Sequence, residues 1–254
     1  MNEEKLCALL SDTDVEIIVK ADTASTNTDA KLMCDSAPSR PVLITADSQH
    51  GGRGRQGKSF ISPAGGLYMS LLMPTDMPLS QAIGATSCAA VAVRRAIFSA
   101  SGANCGIKWI NDLYLSGGKL CGILAESVND YTTMTSRYLV IGVGINIESA
   151  PNITDSAVRA VSLRDCEYDV SREVLCAEVV RELIEAYTNG FDFARYAEEY
   201  RSNSILLGHE ISFTLDGAVE HGIAEDITDS GALVVRCNGK TLSLDSGEVS
   251  VRIR

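Results

Sequence analysis

Residues 51–59, Gly51-Gly52-Arg53-Gly54-Arg55-Gln56-Gly57-Lys58-Ser59, put three cations and four glycines into nine positions of an otherwise acidic chain. Glycine lets a backbone approach a ligand closely, and Arg and Lys donate charge-assisted hydrogen bonds suited to phosphate oxygens. An anion-binding loop is expected, with a solvated basic hairpin tip as the plainer alternative. The letters fit both G-x-G-x-x-G (Gly52, Gly54, Gly57) and G-x-x-x-x-G-K-[ST] (Gly52 to Ser59). Both motifs need a helix directly after the loop, so that its N-terminus meets the phosphate. The loop leads instead into Phe60-Ile61-Ser62-Pro63-Ala64-Gly65-Gly66, whose proline and two glycines block a clean helix start. Pro41 to Ala46 before the loop reads as a buried strand, and Gly66 to Met73 after it as a second, closed by Pro74. A strand, basic loop, strand unit replaces the βαβ unit and points to an antiparallel or mixed sheet.

The rest of the composition narrows the function classes. At 254 residues the chain can bury a substantial core in one or two domains, and 45% hydrophobic with 22% charged residues is ordinary for a globular protein. A net charge of -11 argues against general binding to nucleic acid or anionic membranes, which needs clustered cations. Cys7, Cys34, Cys88, Cys105, Cys121, Cys166, Cys176 and Cys237 form no C-x-x-C pair, and His50, His209 and His221 are the only histidines, so no metal site is expected. Without a secretory or membrane-spanning apolar run, the expectation is a cytoplasmic protein with free thiols, in which the Asn152-Ile153-Thr154 sequon carries no meaning.

Along the chain, Val15 to Val19 reads as the first strand, and Thr23-Ala24-Ser25-Thr26-Asn27 as a helix cap ahead of Asp29 to Met33. Ala82 to Ala100 reads as an alanine-rich helix ending near Gly102. Residues 107–126 read as a hairpin about Ser116-Gly117-Gly118, with Lys108, Asn111, Asp112 and Lys119 interrupting apolar surfaces. Tyr138 to Ile147 is a buried strand whose Gly142 and Gly144 leave room on one face, where a flat ligand could lie. Ser171 caps a helix stopping near Gly190, and Asp192 opens another with Phe193, Tyr196 and Tyr200 as core. From Leu206 the texture changes to short strands, including Glu248 to Ile253, which predicts a small all-β module.

Taken together, Ser25-Thr26-Asn27, Gln49, Gly52-Arg53-Gly54-Arg55-Gln56-Gly57, Lys108-Trp109-x-Asn111-Asp112, Lys119-Leu120-x-Gly122-Ile123-Leu124-x-Glu126 and Gly142-x-Gly144-Ile145-Asn146 resemble the biotin protein ligases in motif order, spacing and length. Ile110 stands where that family usually has proline, and Phe60 where it often has tryptophan.

The resemblance implies an α+β protein. A catalytic domain over residues 1–205 would be a mixed β-sheet with helices packed on one face, followed by an SH3-like β-barrel over 206–254. It implies ATP-dependent biotinylation of a lysine on a biotin carboxyl carrier protein or domain, through biotinyl-5′-AMP, with Mg²⁺ carried by the ATP. Lys119, Arg53 and Asp112 are the implied catalytic residues: the first two meet charge on the carboxylate and α-phosphate, and Asp112 orients or deprotonates the carrier amine. Ser25, Thr26, Asn27, Gln49, Gly51, Arg53, Trp109, Lys119 and Gly122 are implied around biotin. Arg53, Arg55, Lys58, Phe60, Lys108, Asn111 and Asn146 are implied around ATP and the adenylate. With only about 14 residues ahead of the first strand, the DNA-binding domain some relatives carry is not expected here. Relatives differ in being monomers or homodimers, so either state is open. The rival readings are a lipoate or octanoate protein ligase, which shares the fold family, and a biotin-sensing module without turnover.

Overall fold

β-branched and apolar runs separated by glycine, proline and alanine-rich segments become two sheets in a computed structural model, which describes residues 1–254 except 83, 152–158, 216, 246–250 and 254. The chain opens with α1 (Glu3–Leu9), β1 (Glu16–Thr23), α2 (Thr26–Met33), β2 (Val42–Gln49) and β3 (Leu67–Pro74). Next come α3 (Leu79–Ala82), α4 (Ala85–Ser101), β4 (Gly106–Lys108), β5 (Asp112–Leu115), β6 (Gly118–Asp130) and β7 (Thr135–Ile145). These strands form a seven-stranded sheet in the order β1-β2-β3-β7-β6-β5-β4. β1 and β2 are parallel, and every other neighbouring pair is antiparallel. The sheet is therefore mixed, and the basic loop joins two adjacent antiparallel strands as its flanking sequence requires.

The predicted hairpin over 107–126 is a three-stranded meander. β4 ends at Lys108, and a corner containing a cis peptide bond between Trp109 and Ile110 leads into β5, so that Ile107 pairs with Leu113. Ser116 and Gly117 make the expected tight turn, with φ of 49° and 76°.

The sheet is covered on both sides, unequally. The long α4 and α5 (Arg172–Thr188) lie on one face as expected, and their Ala89, Ala92, Ala96, Leu175, Val179 and Leu183 share a core with Leu43, Met69, Leu71 and Ile141. Small alanines let α4 approach closely, and each fully buried Leu, Ile or Val beneath it contributes about 1.5–3 kcal/mol. The short α2 covers the other face, where Ala30 packs on Val42, Ile44, Leu72 and Val140. It occupies only part of that face, and beside it Phe60 lies over Gly122 of β6 and Gly144 of β7.

After α5, Asp192 caps a short turn by accepting the Ala194 N–H at 3.2 Å, and α6 (Ala197–Ser202) comes next. Phe193, Tyr196 and Tyr200 are buried as core, as their spacing predicts. Residues 203–205 then add to the sheet margin: the Ile107 N–H donates to the Asn203 carbonyl at 2.7 Å and the Ile205 N–H to the Ile107 carbonyl at 3.0 Å. β8 (Glu210–Leu215), β9 (Ala218–Ile227), β10 (Leu233–Cys237), β11 (Lys240–Leu244) and β12 (Val251–Ile253) form a five-stranded antiparallel sheet in the order β11-β10-β9-β8-β12. The predicted strand over Glu248 to Ile253 is described only at β12, and the sequon lies outside the described residues. Among the described residues no helix is long and apolar enough to cross a membrane.

Candidate active site

Two clusters of polar side chains meet on the face that α2 leaves open. The first gathers where β1 and β2 end side by side, with Thr23 and Gln49 in register. Ser25 occupies the N-cap of α2 but makes no capping bond with its side chain. Gln49 does that work from the neighbouring strand: its Oε1 accepts the Thr26 N–H at 2.9 Å, while its Nε2 donates to Ser62 Oγ at 2.9 Å. The cap expected over 23–27 therefore exists, supplied by a residue the local sequence does not reveal. The Gly51 N–H ties the loop to the same corner by donating to the Ala24 carbonyl at 2.8 Å.

Asn27 carries the cluster across the sheet. Its Nδ2 donates to Glu126 Oε2 at 3.0 Å and to the Leu124 carbonyl at 3.3 Å, and Glu126 also receives Lys31 Nζ at 2.7 Å. Burial pushes the Glu126 carboxyl up, but the hydrogen bonds from Lys31 and Asn27 and the charges of Lys31 and Arg53 outweigh it and hold the group below its ordinary range. The Oδ1 of Asn27 lies 2.5 Å from Ser70 Oγ, which is also 2.7 Å from Thr26 Oγ1. Ser70 is fully buried, and sequence reasoning passed over it. Its signal was a hydroxyl interrupting the apolar run from Leu67 to Met73, because a polar group in a buried strand needs partners.

The second cluster lies at β5 and β6. Lys119 Nζ pairs with Asp112 Oδ1 at 2.7 Å, with both side chains about three-quarters buried. The ammonium also sits 5.9 Å from the centre of the Phe60 ring. Phe60 in turn lies on the paired glycines Gly122 and Gly144, where an added Cβ would come within 3.0 Å and 2.4 Å of the ring. The open face expected at Gly142 and Gly144 is thus occupied by the chain itself, with the Asn27 amide over Gly142 and Phe60 over Gly144.

The basic loop is a compact hairpin. The Gly54 N–H donates to the Lys58 carbonyl at 2.7 Å and the Phe60 N–H to the Gly52 carbonyl at 2.9 Å. Gly52 is required by this approach, since a Cβ there would stand 2.3 Å from the Phe60 carbonyl oxygen. Arg53 and Lys58 are exposed, whereas Arg55 turns inward to Asn111 Oδ1 at 3.4 Å. Burial pulls the Arg55 guanidinium below its usual pKa, and Asp112 opposes the shift. Asn111 extends the β5 ladder with its side chain, donating from Nδ2 to the Ile123 carbonyl at 2.6 Å. A cavity of about 330 Å³ opens beside Arg55, lined also by Ile110, Ala125, Glu126, Ser127 and Asn129.

Asn146 closes the far end of the site. Its Nδ2 donates to the Val161 carbonyl at 3.0 Å, while its Oδ1 is buried and has no partner among the described residues. Lys108 lies on β4, its ammonium 5.4 Å from the centre of the Tyr114 ring.

Trp109, implied around biotin, has its ring in the core shared with α4, and Nε1 donates to the Gly231 carbonyl of the small sheet at 2.9 Å. The adjacent Ile110 carbonyl accepts from the buried Tyr200 hydroxyl at 3.1 Å. Tyr200, read from sequence as core alone, therefore also holds the corner that delivers Asn111 and Asp112.

Known proteins resemble this chain in sequence and in fold. A model of the Biotin/lipoate A/B protein ligase family matches residues 20–146, and one of the Biotin protein ligase C terminal domain matches 206–252. The chain belongs to the biotin protein ligases of that family. It is 33% identical over 246 residues to a Biotin--[acetyl-CoA-carboxylase] ligase of Mycobacterium tuberculosis, covering 92% of this chain and 88% of that protein. A ligase of the same description from Paracoccus denitrificans is 32% identical, with 85% and 92% of the two chains covered. Among solved structures, the biotin protein ligase of Aquifex aeolicus in complex with biotin and ATP superposes with a TM-score of 0.73 at 23% identity, over 94% of this chain and 99% of that one. The two modules thus recur together in a known fold.

Proposed function

We propose that this chain biotinylates a lysine of a carrier domain in two steps, through biotinyl-5′-AMP. In the first, a biotin carboxylate oxygen bonds to the α-phosphorus of ATP, the bond from that phosphorus to the bridging oxygen breaks, and pyrophosphate leaves. Negative charge grows on the phosphoryl oxygens, so preorganised cations are the groups that lower the barrier. Lys119 is assigned to the carboxylate and α-phosphate, with Arg53, Arg55, Lys58 and Lys108 around the remaining phosphate charge. In the second step the carrier amine attacks the acyl carbon, AMP leaves, and the amine proton passes to Asp112.

The observation that carries this reading is the Lys119–Asp112 pair at 2.7 Å beneath the arginine hairpin. It supports an acid–base partner held next to the cation that meets the reacting carboxylate. Ser25, Thr26, Asn27, Gln49, Gly51 and Gly122 fit the biotin end, where a cyclic urea needs both donors and acceptors. The buried Asn146 Oδ1, without a partner among the described residues, fits the amino edge of adenine, and Phe60 fits a ring that moves from the glycine floor to cover the base.

Among the described residues no group of three or more His, Cys, Asp or Glu side chains could hold a metal ion. Mg²⁺ keeps several waters and takes few protein carboxylates, so an ion carried by the triphosphate fits this donor set. Bound there, it would neutralise phosphate charge. The names of the relatives point to the carrier domain of an acetyl-CoA carboxylase as the protein substrate.

The test is incubation with ATP, biotin and a biotin carboxyl carrier domain, read by mass spectrometry. One biotinyl mass gain on one carrier lysine is expected. Transfer of an octanoyl or lipoyl group in preference to biotin would favour the lipoate-type rival, and biotin binding without biotinyl-AMP would leave a sensing module.

A further inference from the structure

The hydrogen bonds linking α2 to β3 and β6 have a forced direction. Glu126 and the Leu124 carbonyl can only accept, so the Asn27 atom facing them is Nδ2, and the atom facing Ser70 is Oδ1. An amide oxygen also only accepts, and the Ser70 hydroxyl has a single proton. That proton goes to Asn27 Oδ1 at 2.5 Å, which leaves Ser70 Oγ only able to accept from Thr26 Oγ1 at 2.7 Å. The alternative acceptor for the Thr26 proton, Gln49 Oε1, is farther at 3.2 Å and already receives the Thr26 N–H. With its proton committed to Ser70, Thr26 Oγ1 can offer a ligand only lone pairs.

We infer that Ser70 and Glu126 are specificity-determining residues that never touch the ligand: they make Thr26 an acceptor and so select a ring N–H. Ser70 is fully buried, and Thr26 and Asn27 are nearly so, so no water competes for these protons. The chain is anchored at a carboxylate, itself held by Lys31 at 2.7 Å, which cannot reverse its polarity while ionised. Gly142, in register with Ser70, makes the contact possible, since a Cβ there would stand 1.9 Å from Asn27 Oδ1. Removing the Ser70 hydroxyl takes away the nearer acceptor and leaves the Thr26 proton shared between Gln49 Oε1 at 3.2 Å and the ligand. Replacing Glu126 with Gln supplies a donor where none existed and lets the Asn27 amide flip, which reverses the chain from its other end.

The inference rests on the reading that the ligand is biotin, and its experiment separates the two. The purified chain, Ser70→Ala and Glu126→Gln are assayed for acyl-adenylate formation with biotin, with desthiobiotin, and with the two cyclic carbamate isomers in which one ureido N–H becomes ring oxygen. Wild type that forms no biotinyl-AMP overturns the functional reading. Given an active wild type, one carbamate isomer should be rejected strongly, by up to on the order of 10⁴-fold, because its oxygen would face lone pairs. In both variants that discrimination should fall about tenfold or more, the worth of one neutral hydrogen bond. The biotin-to-desthiobiotin ratio, which leaves the urea intact, should stay at the wild-type value. A merely structural defect would lower turnover of every ligand in proportion. Carbamate discrimination unchanged in the variants, or no discrimination in wild type, would overturn the inference; should Ser70→Ala not fold, Glu126→Gln decides alone.

Discussion

Lys119 and Asp112 hold each other at 2.7 Å, so changing either one also releases its partner. Asp112→Ala would free the Lys119 ammonium as well as remove the proposed base, and its effect would mix the two half-reactions. Asp112→Asn separates them, because an amide oxygen still accepts from the ammonium but takes up no proton near neutral pH. Biotin-dependent pyrophosphate exchange should survive in Asp112→Asn while carrier biotinylation falls on the order of 10²–10⁴-fold, the usual contribution of a general base. Lys119→Ala should instead lose exchange itself, on the order of 10²–10³-fold, as for one donor removed from developing negative charge. Both assays on the same preparations check this, and parallel loss in Asp112→Asn would remove the base role.

Two strand glycines and one aromatic make up the floor of the site. Gly122 and Gly144 face each other across β6 and β7, and Phe60, at the end of the basic hairpin, lies on both. The hairpin and the sheet are thereby coupled: whatever moves the ring also moves the segment carrying Arg53 and Lys58. Gly144→Ala would put a methyl group 2.4 Å from the Phe60 ring, which must shift. The expected cost is about 1–3 kcal/mol, as for other overpacked sites. The KM for ATP should rise more than the KM for biotin, since the Asn27 and Gln49 end of the face is untouched. Denaturant unfolding and paired KM measurements read both effects, and an unaltered midpoint with unaltered KM values would mean that the ring does not rest there.

The two sheets are joined by side chains that also position the site. Trp109 donates across the junction to the Gly231 carbonyl, and Arg201 of α6 donates to the Ile227 carbonyl and to Asp229, each at 2.6 Å. Ile211, Phe213, Ala224 and Leu233 of the small sheet belong to the same core as α4. The small module thus braces the corner from which Asn111 and Asp112 project. Trp109→Phe keeps a ring and drops the N–H, leaving the Gly231 carbonyl without its donor in a buried junction. A loss of about 1–3 kcal/mol is expected, the cost of an unsatisfied buried acceptor. Faster proteolysis near residues 206–209 and reduced carrier biotinylation should accompany it. Unfolding and cleavage rates equal to wild type would show that the hydrogen bond does not hold the modules together.

Local sequence carries the elements well, because propensity and breakers act over a few residues. The alanine-rich helix ends at Gly102 with φ of 75°, as its composition predicts, although a short α3 and Gly84 precede its start at Ala85. Pro63 and the glycines after it exclude a P-loop before any tertiary contact is considered, and β2 and β3 are antiparallel as that exclusion requires. The cations of residues 53–58, with Lys119 and Asp112, also announce themselves, since charge interrupting apolar strands needs a purpose. What chain order does not carry is the identity of partners. Ser70 reads as one polar residue in a buried strand, and its meaning lies in Thr26 and Asn27, 44 and 43 positions away. Gly142 and Gly144 read as space for a ligand, but packing gives that space to Asn27 and Phe60. Trp109 is flanked by site residues on both sides in sequence, yet its bulk goes to the apolar volume behind the sheet, where a carbonyl from the far module meets its N–H. Residue type sets which groups must be satisfied; only the packed arrangement of distant strands decides which neighbour satisfies them, because hydrogen bonds and close contacts act over a few ångströms of space whatever the separation along the chain.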